Sequence, residues 1–312
     1  MPHKIAVIQR PPVLLDLAAS IDSALASIDE SAGNGAELLV FPEAFLPGYP
    51  TWAWRLRPGG DMALAGELHA RLRENAVDLS GDDLLPITEA AQRHGVTIVM
   101  GLNEIDSAYS GTTLFNTMVV IGPDGAILNR HRKLMPTNPE RMVWGFGDAS
   151  GLRVVDTPVG RLGGLICWEN YMPLSRYALY AQDIEVWVAP TWDAGESWIA
   201  TMRHIAKEGG CWVIGTATAM QGGDVPDDFP QRDTLFDPDE WVNDGDAVVC
   251  KPMGGIAAGP LNRSRDILYA EIDPEAARRA RRSLDVAGHY SRPDLFSFAV
   301  DRRPLPPVMF ND

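Results

Sequence analysis

The chain has 312 residues, 46% hydrophobic and 22% charged, which is enough apolar material for the core of a globular protein. Its 42 Asp and Glu against 27 Lys and Arg leave a net charge of -15, which disfavours nucleic acid or an anionic membrane as the main partner and suits a small neutral substrate. Three cysteines without a CxxC pair suggest neither a disulfide framework nor a zinc site.

Taken in chain order, "MPHKIAVIQRPP" carries a short strand pattern at 4 to 9 but not the apolar length of a secretory signal, so the reducing cytoplasm is the expected compartment. No apolar run approaches the roughly 18 residues of a membrane span. A helical pattern at 17 to 32 leads into a strand at 37 to 41, and helices at 61 to 78 and 83 to 94 precede strands at 96 to 101 and 114 to 122. "VVIGPDGAILNRHRK" reads as a hairpin turned by Pro-Asp-Gly. A strand at 161 to 168, a helix at 173 to 181, a strand at 185 to 190, a helix at 197 to 208 with Ser197 as its cap, and a strand at 211 to 217 follow. The segment 222 to 240 reads as an ordered insertion within one domain, strand signals return in "DAVVCKP", "GGIAAGP" and "DILYAEID", and the residues after about 280 read as a tail. Strands alternating with helices early and late, with a hairpin between, predict an α/β layered fold with a mixed sheet.

Chemistry in such folds gathers where strands end, because the loops there can carry polar side chains. Glu43 follows "LLVFP", Lys133 follows "ILNRHR", Cys167 follows "GGLI" and Trp192 follows "VWVAPT". A thiol is barely ionised at neutral pH, so a cysteine nucleophile needs a base or a cation beside it. Glu43 can take the proton, Lys133 can stabilise charge developing on the attacked atom, and the backbone N–H of Trp168 can be a second donor. Each residue alone has an ordinary reading: Cys167 as core, Glu43 as a solvated loop carboxylate, Lys133 as a surface charge. Cys211 and Cys250 lie in strand-like runs without such partners and read as core.

Together, Glu43, Lys133 and Cys167 in this order resemble the nitrilase superfamily, whose catalytic triad is Glu, Lys and Cys. The similarity extends over "FPEAFLPGYP", "HRKLMPTNPERMVWGFGD", "CWENYMPLSRYALY", "PTWD" with "ESWIATMRHIAKEGGCWVIG", "DEWVNDGDAVV" and "RRSLDVAGHYSRPDLF", from about residue 4 to about 300. Amidase and carbamoylase branches usually follow their cysteine with Tyr-Asp, whereas "CWENYMP" is similar to the nitrile-hydrolysing branch. The resemblance implies a four-layer α-β-β-α sandwich with two mixed central sheets, no cofactor or metal, a small nitrile as substrate, and a homodimer or larger, spiral homo-oligomer. Many members carry a longer C-terminal tail that bears on assembly, so subunit number stays open.

Matched by motif, Glu140 in "NPER" corresponds to a second family glutamate that orients the lysine and substrate; its plain alternative is a helix-start carboxylate or an ion pair with Arg141. His131, two residues before Lys133 and so on the same strand face, is a supporting and substrate-side candidate. Tyr49, Trp52, Trp54, Trp168 and Trp192 lie in or beside the motif loops and are candidate pocket walls for an aromatic or arylaliphatic nitrile, packing beneath those loops being the alternative. A cyanide-degrading or aliphatic amidase activity is the nearest alternative function, and a non-catalytic scaffold would need a missing triad member.

Other signals carry less. "GFGDASG" does not follow a strand into a helix, so it is no phosphate cradle, and the six histidines show no metal-binding spacing. "ARRARRSL" reads as a solvated or interface helix. A Cys-His reading through His131, His204 or His289 lacks the Gly-x-Cys-x-Gly turn of glutamine amidotransferases.

Overall fold

The computed structural model describes residues 2–309. In chain order the elements are β1 (His3–Ile8), α1 (Leu17–Gly33), β2 (Leu38–Val40), α2 (Met62–Glu74), β3 (Val77–Asp78), α3 (Leu85–His94), β4 (Thr97–Ile105), β5 (Leu114–Ile121) and β6 (Ile127–Arg132). There follow β7 (Val155–Thr157), β8 (Gly160–Gly164), α4 (Pro173–Tyr180), β9 (Val186–Thr191), α5 (Glu196–Glu208), β10 (Trp212–Ala217), β11 (Ala219–Gln221), α6 (Arg232–Leu235), β12 (Trp241–Cys250), β13 (Ile256–Asn262), β14 (Ile267–Ile272) and α7 (Pro274–Arg281).

The strands form two seven-stranded sheets, one ordered β14-β1-β2-β4-β5-β6 with β3 beside β4, the other β11-β12-β10-β9-β8-β7 with β13 beside β12. Both are mixed. β1, β2 and β4 run parallel, as do β8, β9 and β10 and the short β3 beside β4, while the other pairings are antiparallel. Strand alternation explains the layering: Ile5, Val7, Leu38, Val40 and Val99 of the first sheet pack against Leu162, Val186, Val188, Ile214 and Val249 of the second. The opposite faces hold helices, with Ala6, Ile8, Leu39 and Ile98 against α1 and α3, and Trp187, Ala189 and Val213 against α4 and α5. The result is the expected α-β-β-α sandwich.

The differences from the sequence reading are local. The helix expected at 61 to 78 stops at Glu74, its chain passing through Asn75 into β3. Ser197 is not the cap of α5: the helix begins at Glu196 after Gly195, whose φ of +91° suits glycine, and no side chain caps it. The segment 222–240 buries Val225, Phe229 and Phe236 against the loop that follows Glu43. The arginines of α7 meet acids of their own chain, Arg278 with Glu185, Arg279 with Asp273 and Arg281 with Asp183. Among the described residues no helix is long and apolar enough to cross a membrane.

β8 can approach β9 only because Gly164 lacks a side chain: a Cβ there would sit 1.9 Å from the Val188 carbonyl oxygen. Gly164→Ala should therefore lower unfolding free energy by at least about 2 kcal/mol in urea titration, since backbone on both sides cannot yield. A loss under half of that would show that the strands separate at little cost.

Candidate active site

Three loops at one end of the sandwich, after β2, β6 and β8, bring Glu43, Lys133, Glu140 and Cys167 together. After β2 the chain continues extended, with Phe41 N–H donating to Val99 O at 2.9 Å, and then turns at Ala44, which has φ of +50°. Glu43 reaches the interior over Gly101, where a Cβ would lie 2.1 Å from Pro42 O. Lys133 follows β6 directly, its N–H bonded to Asn116 O at 2.8 Å. Glu140 sits in a single helical turn, Asn138–Met142, and accepts the Thr137 N–H at 2.6 Å. Cys167 opens another such turn, Cys167–Tyr171, with φ of +51°.

A left-handed conformation at a non-glycine residue costs roughly 1–2 kcal/mol, so the cysteine turn needs support. Asn170 supplies part of it, donating to the carbonyls of Leu165 (2.9 Å) and Cys167 (2.8 Å) while accepting from Trp187 Nε1 (2.9 Å). Glu169 supplies the rest. It accepts the N–H of Ile166 (2.8 Å) and of Leu134 (2.7 Å), the immediate neighbours of Cys167 and Lys133, and His131 Nε2 meets both its oxygens at 3.1–3.2 Å. Burial alone would raise the Glu169 pKa, but His131 and these amides hold it below the ordinary carboxylate value.

At the centre, the fully buried Lys133 ammonium donates to Glu43 Oε1 at 2.7 Å and to Glu140 Oε2 at 2.8 Å. Tyr49 OH donates to Glu140 Oε1 at 2.5 Å and accepts from Trp54 Nε1 at 2.9 Å. Asn116 Nδ2 donates to Glu43 Oε1 at 2.6 Å. One cation thus faces two carboxylates and a thiol. Burial disfavours the charged lysine, yet Glu43, Cys167 and Glu140 outweigh it and keep the ammonium protonated. Burial, opposed by Lys133 and reinforced by Glu140, lifts Glu43 to about 7. Burial and the Glu43 charge push the Cys167 thiol well above its usual value, so it rests as a thiol. Moving its proton to Glu43 leaves the net charge of the cluster unchanged.

Cys167, Glu140 and Thr137 open onto a cleft of about 220 Å³ walled by Tyr49, Trp54, Trp168, Trp192 and Asp193. Tyr49 and Trp192 stack at 4.4 Å with parallel rings. Asp193 accepts from Trp168 Nε1 (2.8 Å) and Tyr171 OH (3.2 Å), fixing the outer wall.

Of the sequence candidates, Tyr49, Trp168 and Trp192 line this cleft. Trp52 does not: it is buried beneath, tilted against Phe229 of the 222–240 insertion at 5.9 Å, while Trp54 two residues on takes the wall position. His131 does not reach the cleft either, because its ring is spent on Glu169. Sequence reasoning missed Asn116, Thr137, Glu169 and Asp193. An asparagine inside the apolar run "LFNTMVVIG" and a glutamate two residues past the cysteine were the available signals.

The carbon-nitrogen hydrolase family model matches residues 4–282. The chain belongs to this family. It is 41% identical to an aliphatic nitrilase of Sinorhizobium fredii, over 97% of each chain, and 40% identical to nitrilase 2 of Arabidopsis thaliana, over 97% of this chain and 90% of that one. A bifunctional nitrilase/nitrile hydratase of Lupinus angustifolius is 38% identical over 97% and 87%. The fold is shared with Saccharomyces cerevisiae Nit3, a member of branch 10 of the nitrilase superfamily (TM-score 0.73, 19% identity, 93% of this carbon-nitrogen hydrolase and 96% of that chain).

Glu169→Ala would leave two backbone amides without their acceptor and His131 without its carboxylate. It should cost about 3 kcal/mol or more of unfolding free energy, with Glu169→Gln costing less because one carbonyl acceptor remains. Denaturant titration of both proteins checks this, and equal losses would remove Glu169 from its bridging role.

Proposed function

We propose that the chain is a nitrilase, hydrolysing an organic nitrile to a carboxylic acid and ammonia through Cys167. The observation that carries the reading is a buried ammonium, Lys133, shared by Glu43 and Glu140, beside a cleft lined by Glu140 and Cys167. Full-length relatives whose names state nitrilase activity support it.

In the proposed course, the Cys167 proton passes to Glu43 as sulfur attacks the nitrile carbon, and one π pair moves onto nitrogen. Glu43 returns that proton to the nitrogen, giving a thioimidate whose nitrogen lies against Lys133 and, at the first turn after Cys167, the amide of Trp168. Glu43, ionised again, takes a proton from water as it adds to the same carbon. The C=N π pair moves to nitrogen, which takes that proton from Glu43. Glu43 then carries the proton of the new hydroxyl to nitrogen, so that the C=O bond forms as ammonia leaves. A second water, deprotonated by Glu43, cleaves the thioester as its proton returns to the Cys167 sulfur. Glu140, held by Tyr49 and Thr137, keeps Lys133 charged and aimed. The aromatic walls suit aromatic or arylaliphatic nitriles.

Ammonia release across aliphatic, aromatic and arylacetonitriles, amides and cyanide tests the reading. Organic nitriles should be turned over best; amide-only turnover would move the protein to an amidase, and turnover confined to cyanide to a cyanide-degrading enzyme. Cys167→Ala should abolish hydrolysis, and Lys133→Met and Glu140→Leu should each lose about a hundredfold or more in kcat while remaining folded.

Because Glu43 acts as the ionised base and its pKa is raised to about 7, kcat/KM should fall as pH drops through about 7. A pH profile flat down to the ordinary carboxylate range would contradict that role. Loss of ammonia should outrun loss of thiolate, since Glu43 can protonate the departing nitrogen, so product NMR should show acid as the major product and amide as the minor one. Dominant amide would indicate hydratase chemistry.

We place the enzyme in the cytoplasm, which suits three unpaired cysteines, and as a homodimer or larger homo-oligomer. Exposed Leu174 on α4 and the exposed apolar residues Phe296 and Leu305 of the C-terminal segment support association. Sedimentation velocity should give a dimer or larger; a monomer at working concentration would refute it.

A further inference from the structure

The two oxygens of Glu43 are not equivalent. Oε1 accepts two hydrogen bonds, from Lys133 Nζ at 2.7 Å and Asn116 Nδ2 at 2.6 Å. Oε2 is equally buried but meets no donor among the described residues. A carboxylate pinned through one oxygen keeps its basic lone pairs on the other, and a proton arriving there disturbs neither existing bond.

We propose that Asn116 is a positioning residue that, with Lys133, pins Oε1 of Glu43 and so makes Oε2 the oxygen that exchanges protons with the Cys167 thiol, the substrate nitrogen and water. This rests on the hydrolytic reading of the site. In each exchange the S–H, N–H or water O–H bond breaks or forms as the Oε2–H bond forms or breaks, with no change in the bonds to Oε1.

The placement of Asn116 supports a dedicated role. It sits on β5 inside the sheet, its own carbonyl takes the Lys133 N–H at 2.8 Å, and its side chain reaches Glu43 from the same residue. One residue therefore sets both partners of the Glu43–Lys133 pair. Its Oδ1 is buried with no hydrogen-bond donor among the described residues. Such an arrangement is costly for stability, and an aliphatic side chain of the same size would avoid it. The amide orientation follows from the chemistry, because only Nδ2 can face a carboxylate oxygen. The charged and titratable groups around Glu43 are Lys133 after β6, Glu140 in its turn, Cys167 after β8 and Tyr49 on the same loop as Glu43. Of these only Lys133 also donates to Oε1, and it is shared with Glu140, so none of them makes up for the Asn116 donor.

The test compares wild type with Asn116→Leu and with Asn116→Ser, which is smaller and keeps a hydroxyl. Removing a donor to the ionised carboxylate raises its pKa, so the acid limb of kcat/KM should move to higher pH by half a unit or more in Asn116→Leu. KM should change less than twofold, because Asn116 does not line the cleft. Infrared titration of the Glu43 carboxyl, identified by its loss in Glu43→Gln, should show the same shift without any substrate. In wild type the two carboxylate stretches should be split more widely than for a symmetrically bonded carboxylate. An acid limb and a carboxyl titration that both stay in place in a folded variant would overturn the proposal, as would narrowly split stretches in the wild-type protein should the variants not fold. If the carboxyl titration shifts but no nitrile is hydrolysed, the role of Asn116 stands and the nitrilase reading falls.

Discussion

The site depends on one buried ammonium held between two buried carboxylates. Lys133 cannot be left charged in an apolar interior without Glu43 and Glu140, and neither carboxylate can be ionised there without it. Meeting this constraint requires the loop after β2, the start of the loop after β6 and the turn at Glu140 to converge within hydrogen-bonding distance. Several local features of the backbone follow from that convergence. Gly101 lets the Glu43 loop cross the sheet, and Ala44, Asn138 and Cys167 take left-handed conformations beside or within the four functional positions. The sandwich supplies rigid strand ends, and Glu169 ties the cysteine turn to the lysine loop.

The same electrostatics explain how a thiol can be a nucleophile without being a thiolate at rest. Burial raises all three cysteines, Cys211 and Cys250 to about 12 and Cys167 beyond that. Acidity therefore does not single out the reactive one. Cys167 differs in its surroundings, because the Glu43 carboxylate and the Lys133 ammonium both act on its thiol, which is what the proposed proton transfer would use. In the proposed mechanism that transfer would create no new net charge in a site that could not solvate it, and the charge it relocates would be delivered to the nitrile carbon.

Much of this was legible in the sequence, because strand ends and their loops are local features. The runs around β4, β5, β9 and β10 were readable from their apolar residues, and Glu43, Lys133 and Cys167 from their positions just past strands. The four-layer arrangement and the place of Glu140 came from resemblance to a family rather than from periodicity. What stayed undecided or unseen depends on contacts across the chain. Trp52 and Trp54 are two apart in one short turn, and which faces the cleft is decided by Phe229, some 175 residues later. His131 shares the inward face with Lys133 as its spacing suggested, but its partner is Glu169, on a loop no local pattern connects to it. Asn116 and Asp193 act through side chains whose partners lie on other segments, so only the fold reveals them.

The central claim is that Cys167, and no other thiol, forms a covalent bond to a nitrile carbon within this cluster. Intact-protein mass spectrometry during turnover of a slow nitrile, followed by peptide mapping, measures it directly. The expected result is one adduct per chain on the peptide containing Cys167, absent from Cys167→Ala. Hydrolysis without any adduct on Cys167, or an adduct on Cys211 or Cys250 that accompanies turnover, would contradict it.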